Sequence, residues 1–244
     1  MDDHTQEDNI LGAMKELPPG NALVVFSGGQ DSTTCLGVAL HRAKEVGGTV
    51  SAICFDYGQK HSIEMVQAHK ICNDLGVELS VVDVPALRVT KSALTTGGDV
   101  SQPHEYMDGV PASFVPARNA TFLAMAWGMA MDRNCKYIYT GVCQTDYSGY
   151  PDCREVFIGS FTRAMQLGYE SDIRILTPLM HLTKSSTFEL ARRVGILNTV
   201  LQDSHTCYNG SREKVFEWGF GCGECPACEL RAKGHAEYME QYRG

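Results

Sequence analysis

"VVFSGGQDSTTCL", Val24–Leu36, is the stretch from which the architecture can be read. A β-branched apolar run leads into two glycines flanked by hydroxyl residues, then into residues suited to a helix. Gly28 and Gly29 let the backbone turn tightly and approach a ligand with no Cβ in the way. Ser27 and Ser32 add hydroxyl donors, and successive N–H groups at a helix start form a nest for an anion. The lysine that closes a Walker A loop is absent. Such a loop suits pyrophosphate held by many neutral donors plus a metal ion, with Asp31 as an oxygen ligand for Mg²⁺. The bland alternative is a serine-capped glycine turn that holds nothing.

Working outward, "ALVVF" (22–26) is the first strand, and a helix is expected from about Asp31 to Val46, ended by Gly47 and Gly48. The same rhythm predicts strands at 50–55, 77–84, 136–142 and 173–179, with helices at about 61–75, 118–133 and 154–168. Strand–helix alternation implies an α/β fold with a parallel sheet covered on both faces and ligands at the strands' carboxyl ends. Residues 1–20 are polar and read as a loosely attached arm or a short helix. Pro85 to Pro116 is a long connection rich in Gly, Pro, Ser and Thr, of the kind that is usually functional. No internal repeat or low-complexity segment is visible.

The chain of 244 residues, 43% hydrophobic and 20% charged, has the composition of a soluble globular protein with an ample core. A net charge of −8 argues against a broad electrostatic grip on nucleic acid. No apolar run approaches the ~20 residues of a membrane span. The acidic opening lacks the order of a secretion signal, so a cytoplasmic location is expected.

Ten cysteines are present. Cys222, Cys225 and Cys228 form C-x2-C-x2-C, and Cys207 lies upstream with 14 residues between. Four thiolates at these spacings match a closed tetrahedral Zn²⁺ site, which leaves no position for activating water. An iron–sulfur cluster is the competing assignment. Cys35, Cys54, Cys72, Cys135, Cys143 and Cys153 are dispersed and read mostly as small core residues; Cys153, in a polar loop, is the candidate for reactivity.

"SGGQDS" resembles, at every fixed position, the PP-loop S-G-G-x-D-S of the N-type ATP pyrophosphatases, which cleave ATP between the α- and β-phosphates. The second loop, "FDYGQKH" (55–61), follows the next strand and faces the same crevice. Its backbone suits the adenine edge, and Lys60 and His61 supply donors. "TPLMHLTKSS" (177–186) puts Lys184 near another helix start, where a cation neutralises departing pyrophosphate. Solvated surface charge is the alternative for Lys60 and Lys184.

Read together with "FVPARN", "TGVCQTDYSGYPDCR", "TCYNG" and "GCGECPAC", these motifs resemble the 7-cyano-7-deazaguanine synthase family over residues 22–240. The resemblance implies a five-stranded parallel sheet of the adenine nucleotide α-hydrolase, Rossmann-like type with a zinc-bearing C-terminal region. The corresponding organisation is a polar arm at 1–20, an ATP-binding α/β domain at 21–200 and the four-cysteine region at 201–244. It implies a homodimeric enzyme that converts 7-carboxy-7-deazaguanine and ammonia to the nitrile, consuming ATP through adenylated and amide intermediates. By motif, ATP would meet Phe26, Ser27, Gly28, Gly29, Gln30, Asp31, Ser32, Thr33, Thr34, Cys35 and Leu36. The second loop would add Phe55, Tyr57, Gly58, Gln59 and Lys60. Ser27, Asp31, Ser32, Arg118 and Lys184 would carry the catalysis, with Mg²⁺ on Asp31 and Lys184 at the β-phosphate. Arg118 and Asn119 would face the substrate carboxylate or the α-phosphate, a planar guanidinium suiting either. "DYSGYPDCR" would frame the deazapurine, with Asp146 and Asp152 as acceptors, Tyr147 or Tyr150 as stacking faces, and Arg154 beside them. A surface turn is the alternative for that stretch.

Two departures stand out. Ala117 replaces the glycine usual in V-P-G-R-N, which narrows the backbone's freedom beside Arg118. The aromatic-bearing segment "YNGSREKVFEWGFG" is longer than expected and suits a pocket rim or a subunit contact. Three other functions compete. A PP-loop tRNA sulfurtransferase needs catalytic cysteines and an RNA surface, against which the acidic composition weighs. A zinc-ribbon binding module leaves the phosphate loop without purpose. An enzyme that stops at the amide, or passes the activated deazaguanine to a protein amine, shares the first half-reaction.

Overall fold

The structure, a computed structural model, describes residues 3–58, 63–89, 92–93, 98, 102–104, 108–144 and 150–243. The chain starts with a helix, α1 (Asp3–Lys15), followed by β1 (Ala22–Val25), α2 (Gln30–Lys44), β2 (Val50–Asp56), α3 (Ile63–Leu75) and β3 (Glu78–Asp83). A 3₁₀ turn (Pro85–Val89) opens the long connection. Beyond it come α4 (Arg118–Asp132), β4 (Tyr137–Tyr139), a second 3₁₀ turn (Pro151–Cys153), α5 (Glu155–Tyr169) and β5 (Arg174–Leu176). The C-terminal part holds α6 (Lys184–Arg193), α7 (Leu197–Gln202), the strands β6 (Lys214–Phe216) and β7 (Gly219–Gly221), and α8 (Pro226–Arg243).

Five strands pair in parallel in the order β3-β2-β1-β4-β5, and β6 and β7 form a separate antiparallel hairpin. The chain runs outward from β1 through β2 to β3, then restarts on the other side with β4 and β5. The crevice at the carboxyl ends of β1 and β4 is therefore a topological switch point, where open α/β sheets bind ligands. Two apolar cores cover the sheet. One joins Val24, Phe26, Leu36 and Ile71 to α1; the other joins Ile53, Phe55, Trp127 and Ile138 to α4 and α5.

Residues 3–15 are a docked helix, and the loose-arm reading does not describe them. Ile10 is fully buried, the Gln6 side chain donates to His181 O (3.1 Å) and accepts from Thr183 N (2.9 Å), and Arg193 holds Glu7 bidentately at 2.6 and 2.7 Å. A single apolar stripe on an otherwise polar segment is enough once a partner groove exists. The strands expected at 136–142 and 173–179 are each only three residues long. Past Tyr139 the backbone leaves the sheet because Gly141 must pass the phosphate loop: a Cβ there would lie 3.0 Å from Asp31 C and Ser32 N. No helix among the described residues is long and apolar enough to cross a membrane.

Candidate active site

The loop after β1 is tied to itself and to the C-terminal region. Ser32 Oγ accepts from Ser27 N (3.2 Å) and lies 3.1 Å from Ser27 Oγ, which accepts from Gly29 N (3.3 Å). Gly28 takes φ +79°, and a Cβ on it would sit 2.8 Å from Glu64 O on α3, so only glycine fits. From the other side, His205 N donates to Gly28 O (2.8 Å) and Gln30 N donates to Thr206 Oγ1 (3.3 Å). Arg231 of α8, almost wholly buried, donates to the same hydroxyl (3.0 Å) and to Trp218 O and Val200 O.

Asp31, in the first turn of α2, receives Lys184 Nζ at 3.0 Å on each carboxylate oxygen. Lys184 reaches it because α6 and α8 cross tightly, a Cβ on Gly234 falling 2.5 Å from Lys184 Cγ. Beyond this pair opens a cavity of about 370 Å³, within the range of small-molecule sites. Its far wall carries Arg118, whose guanidinium lies 5.9 Å from the Tyr57 ring centroid and 6.0 Å from that of Tyr150. Burial works against the Arg118 charge, but Tyr57, Tyr150 and Asp152 outweigh it and hold the proton on. Glu64 also lines the cavity, and burial pushes its carboxyl up to about 7 against the opposing pull of Arg118. The Gln30 amide, 2% exposed, has neither polar atom partnered among the described residues, as expected of a group that awaits a ligand.

The four cysteines converge. The sulfurs of Cys207, Cys222, Cys225 and Cys228 all lie within 4.8 Å of one another, with Cys222–Cys228 at 3.8 Å and Cys207–Cys225 at 4.0 Å. A tetrahedral ion with Zn–S bonds of about 2.3 Å sets S···S near ~3.8 Å, so the donor set fits a closed metal site. Burial raises the Cys222 thiol, and N–H donors from Glu224 and Cys225 more than reverse this, holding it at about 7. The long segment before Cys222 folds as the β6–β7 hairpin. Trp218 buries itself against the cysteine cluster and stacks on Phe216 (4.6 Å, 7°), while Arg212 lies over Phe220 at 4.3 Å. Trp218 thus covers the cluster, and of the aromatic residues in the segment Tyr208 alone lines the cavity.

Phe26, Ser27, Gly29, Gln30, Asp31, Ser32, Phe55, Tyr57, Arg118, Asn119, Tyr150 and Lys184 meet around one cavity. Thr33, Thr34, Cys35 and Leu36 do not line it. They sit fully buried on α2, because the cavity lies at the N-terminal end of that helix and these residues lie further along it, packed into the core. Gly58 closes a turn on Asp56 (3.0 Å), Asp152 stands behind Arg118, and Arg154 is exposed at the start of α5; none of the three lines the cavity. Gln59, Lys60, His61, Asp146 and Tyr147 lie outside the described residues. Cys153, the thiol singled out for reactivity, lines the cavity beside Asn119 (3.4 Å). Burial pushes Cys54 and Cys72 up to about 12, which makes them inert. Sequence reasoning missed Glu64, Thr140, His205, Thr206, Tyr208 and Arg231. Only Thr206 and Tyr208 had a signal, as neighbours of Cys207.

The sheet order, the S-G-G-x-D-S loop at the switch point and the closed cysteine cluster define a PP-loop α/β protein of the adenine nucleotide α-hydrolase type. Residues 21–239 match the family described as queuosine biosynthesis protein QueC, and the chain belongs to that family. It is 48% identical over 226 residues to the 7-cyano-7-deazaguanine synthase of Wolinella succinogenes, covering 91% of this chain and 95% of the relative. The proteins of the same name from Maricaulis maris (42%; 89% and 93% covered) and Staphylococcus haemolyticus (44%; 93% and 96%) are similar in extent.

Proposed function

We propose that this chain is a 7-cyano-7-deazaguanine synthase, a carbon–nitrogen ligase that converts 7-carboxy-7-deazaguanine and ammonia to the nitrile, consuming ATP. One observation carries the reading: in a chain of this family, the phosphate loop, Lys184 and Arg118 face a single cavity. The loop donors and the unpartnered Gln30 amide suit a nucleotide, and Arg118 between two tyrosines suits a planar carboxylate-bearing substrate.

A carboxylate cannot lose oxide to ammonia, so its oxygen first attacks the α-phosphorus and pyrophosphate leaves. Ammonia then displaces AMP to give the amide. A second adenylation, on the amide oxygen, lets AMP depart as the C≡N bond forms. The protein supplies positioning and stabilisation of phosphate charge. When nucleotide enters, Lys184 would exchange the Asp31 carboxylate for a phosphate oxygen, and the freed Asp31 would hold Mg²⁺, which would supply neutralisation of phosphate charge. Cys207, Cys222, Cys225 and Cys228 would hold Zn²⁺, which would supply a structural cross-link. The enzyme acts as a homodimer, with Val156 and Leu167, both exposed and eleven residues apart on one side of α5, as apolar contacts for a second copy.

The test is product analysis of pure, zinc-replete protein with ATP, ammonium and 7-carboxy-7-deazaguanine. The expected products are nitrile, AMP and pyrophosphate. Amide alone would place the end of the reaction one step earlier, and absence of pyrophosphate would overturn the reading.

A further inference from the structure

Two acidic side chains line the cavity, Asp31 and Glu64, and they differ in what they touch. Asp31 is bound through both oxygens to Lys184. Glu64, in the first turn of α3, has no hydrogen bond or ion pair among the described residues. Its carbonyl oxygen abuts Gly28, so it stands beside the phosphate loop, and Arg118 lines the cavity with it. This is where the loop's phosphate and a carboxylate held by Arg118 would meet.

The proposed reaction has a proton problem that this placement answers. Near neutral pH ammonia in water is almost all ammonium, which has no lone pair for attack. The cavity also holds Arg118, Lys184 and Arg231, which repel a cation. The groups facing Glu64 are Cys54 from β2, Tyr57 after it, Arg118 of α4, and Tyr208 beyond Cys207. Burial raises the Cys54 thiol and both phenols, so none of them is an anion that accepts a proton at pH 7. The His205 ring lies 3.2 Å from Cys207 O, against the cysteine cluster.

We infer that Glu64 is the proton acceptor of the two nitrogen steps, an assignment that rests on the function proposed above. Its carboxylate attracts ammonium and takes one proton. The released ammonia forms the C–N bond as the C–O bond to AMP breaks, and the surplus proton passes to solvent. Glu64 then returns its proton to solvent; in the second half, the adenylated amide loses one N–H proton to solvent and the other to Glu64 as the C–O bond breaks, AMP leaves and C≡N forms. A carboxyl held at about 7 is matched to such transfers at neutral pH.

Glu64→Gln tests this with two nucleophiles. Substrate-dependent ATP–pyrophosphate exchange should persist, while amide formation from ammonium at pH 7 falls about 10²-fold or more. Hydroxylamine, which is neutral at pH 7 and needs no base, should give hydroxamate at the wild-type rate. Equal loss with both nucleophiles, or undiminished turnover with ammonium, overturns the assignment. The wild-type enzyme gives a second measurement that does not depend on the variant folding. With Glu64 as base, its rate at low ammonium flattens between pH 7 and 9; a rate that climbs in proportion to free ammonia removes Glu64 from the role. Failure of wild-type exchange would instead strike the proposed function itself.

Discussion

The phosphate loop and the cysteine cluster are neighbours built on opposite plans. Around Asp31, the loop hydroxyls, the Gln30 amide and the Lys184 ammonium surround an open cavity. Around Cys207, four sulfurs turn inward on one another and Trp218 covers them. An open constellation can bind, react and release; a closed one has no coordination position to offer and can only hold. They are joined at Thr206, whose hydroxyl accepts from Gln30 N–H of the loop and from Arg231 of the helix that carries Cys228. The two centres are therefore linked through that hydroxyl.

Four experiments separate the two centres. The largest effect belongs to the open one: Asp31→Ala should cut pyrophosphate release about 10³-fold while the melting temperature stays near wild type. Normal release would remove Asp31 from the chemistry. For the closed centre the expectation reverses. Cys228→Ser, or removal of the metal by chelation, should cost about 4 kcal/mol or more of stability. In a chain of this size that lowers Tm by roughly 8–16 °C, and elemental analysis should find one zinc per native chain. Iron in its place would overturn the zinc assignment.

The joint should show an intermediate effect. Thr206→Val leaves Gln30 N–H and a buried Arg231 N–H without their acceptor, at a cost of about 1–3 kcal/mol. It should raise KM for ATP about tenfold with a smaller change in kcat; unchanged KM would uncouple the two centres. The smallest effect is at Ala117, which holds φ +62° immediately before Arg118. An L-residue there costs about 1–2 kcal/mol, partly offset by the entropy glycine loses on folding. Ala117→Gly should therefore stabilise the chain by about 0.5–1 kcal/mol, read as a rise in Tm. A fall would show that Ala117 packs better than its backbone suggests.

Much of this could be read in advance because the signals are local. A β-branched run, two glycines and a helix-forming stretch place the phosphate loop without reference to anything distant. Four cysteines at short spacings do the same for the sulfur cluster that could hold a metal ion. Where the readings failed, the missing information was non-local. Nothing in "IEMVQAHK" separates Glu64 from a solvated helix charge, and nothing near Arg231 reports that Thr206 lies within 3.0 Å. Thr33, Thr34, Cys35 and Leu36, carried over within a contiguous motif, lie off the cavity because they are further along α2 than the end that meets it.

From its residues alone, this chain was legible as a PP-loop α/β protein with a four-thiolate site, since strand and helix periodicity, glycine turns and ligand spacing act over a few residues. Only the tertiary structure decided that α1 docks, that the long hairpin covers the cysteines, and that Lys184, Arg118 and Glu64 share one cavity. Those outcomes depend on which faces of distant helices meet, and the packing of many side chains at once settles that, where no short run of sequence can.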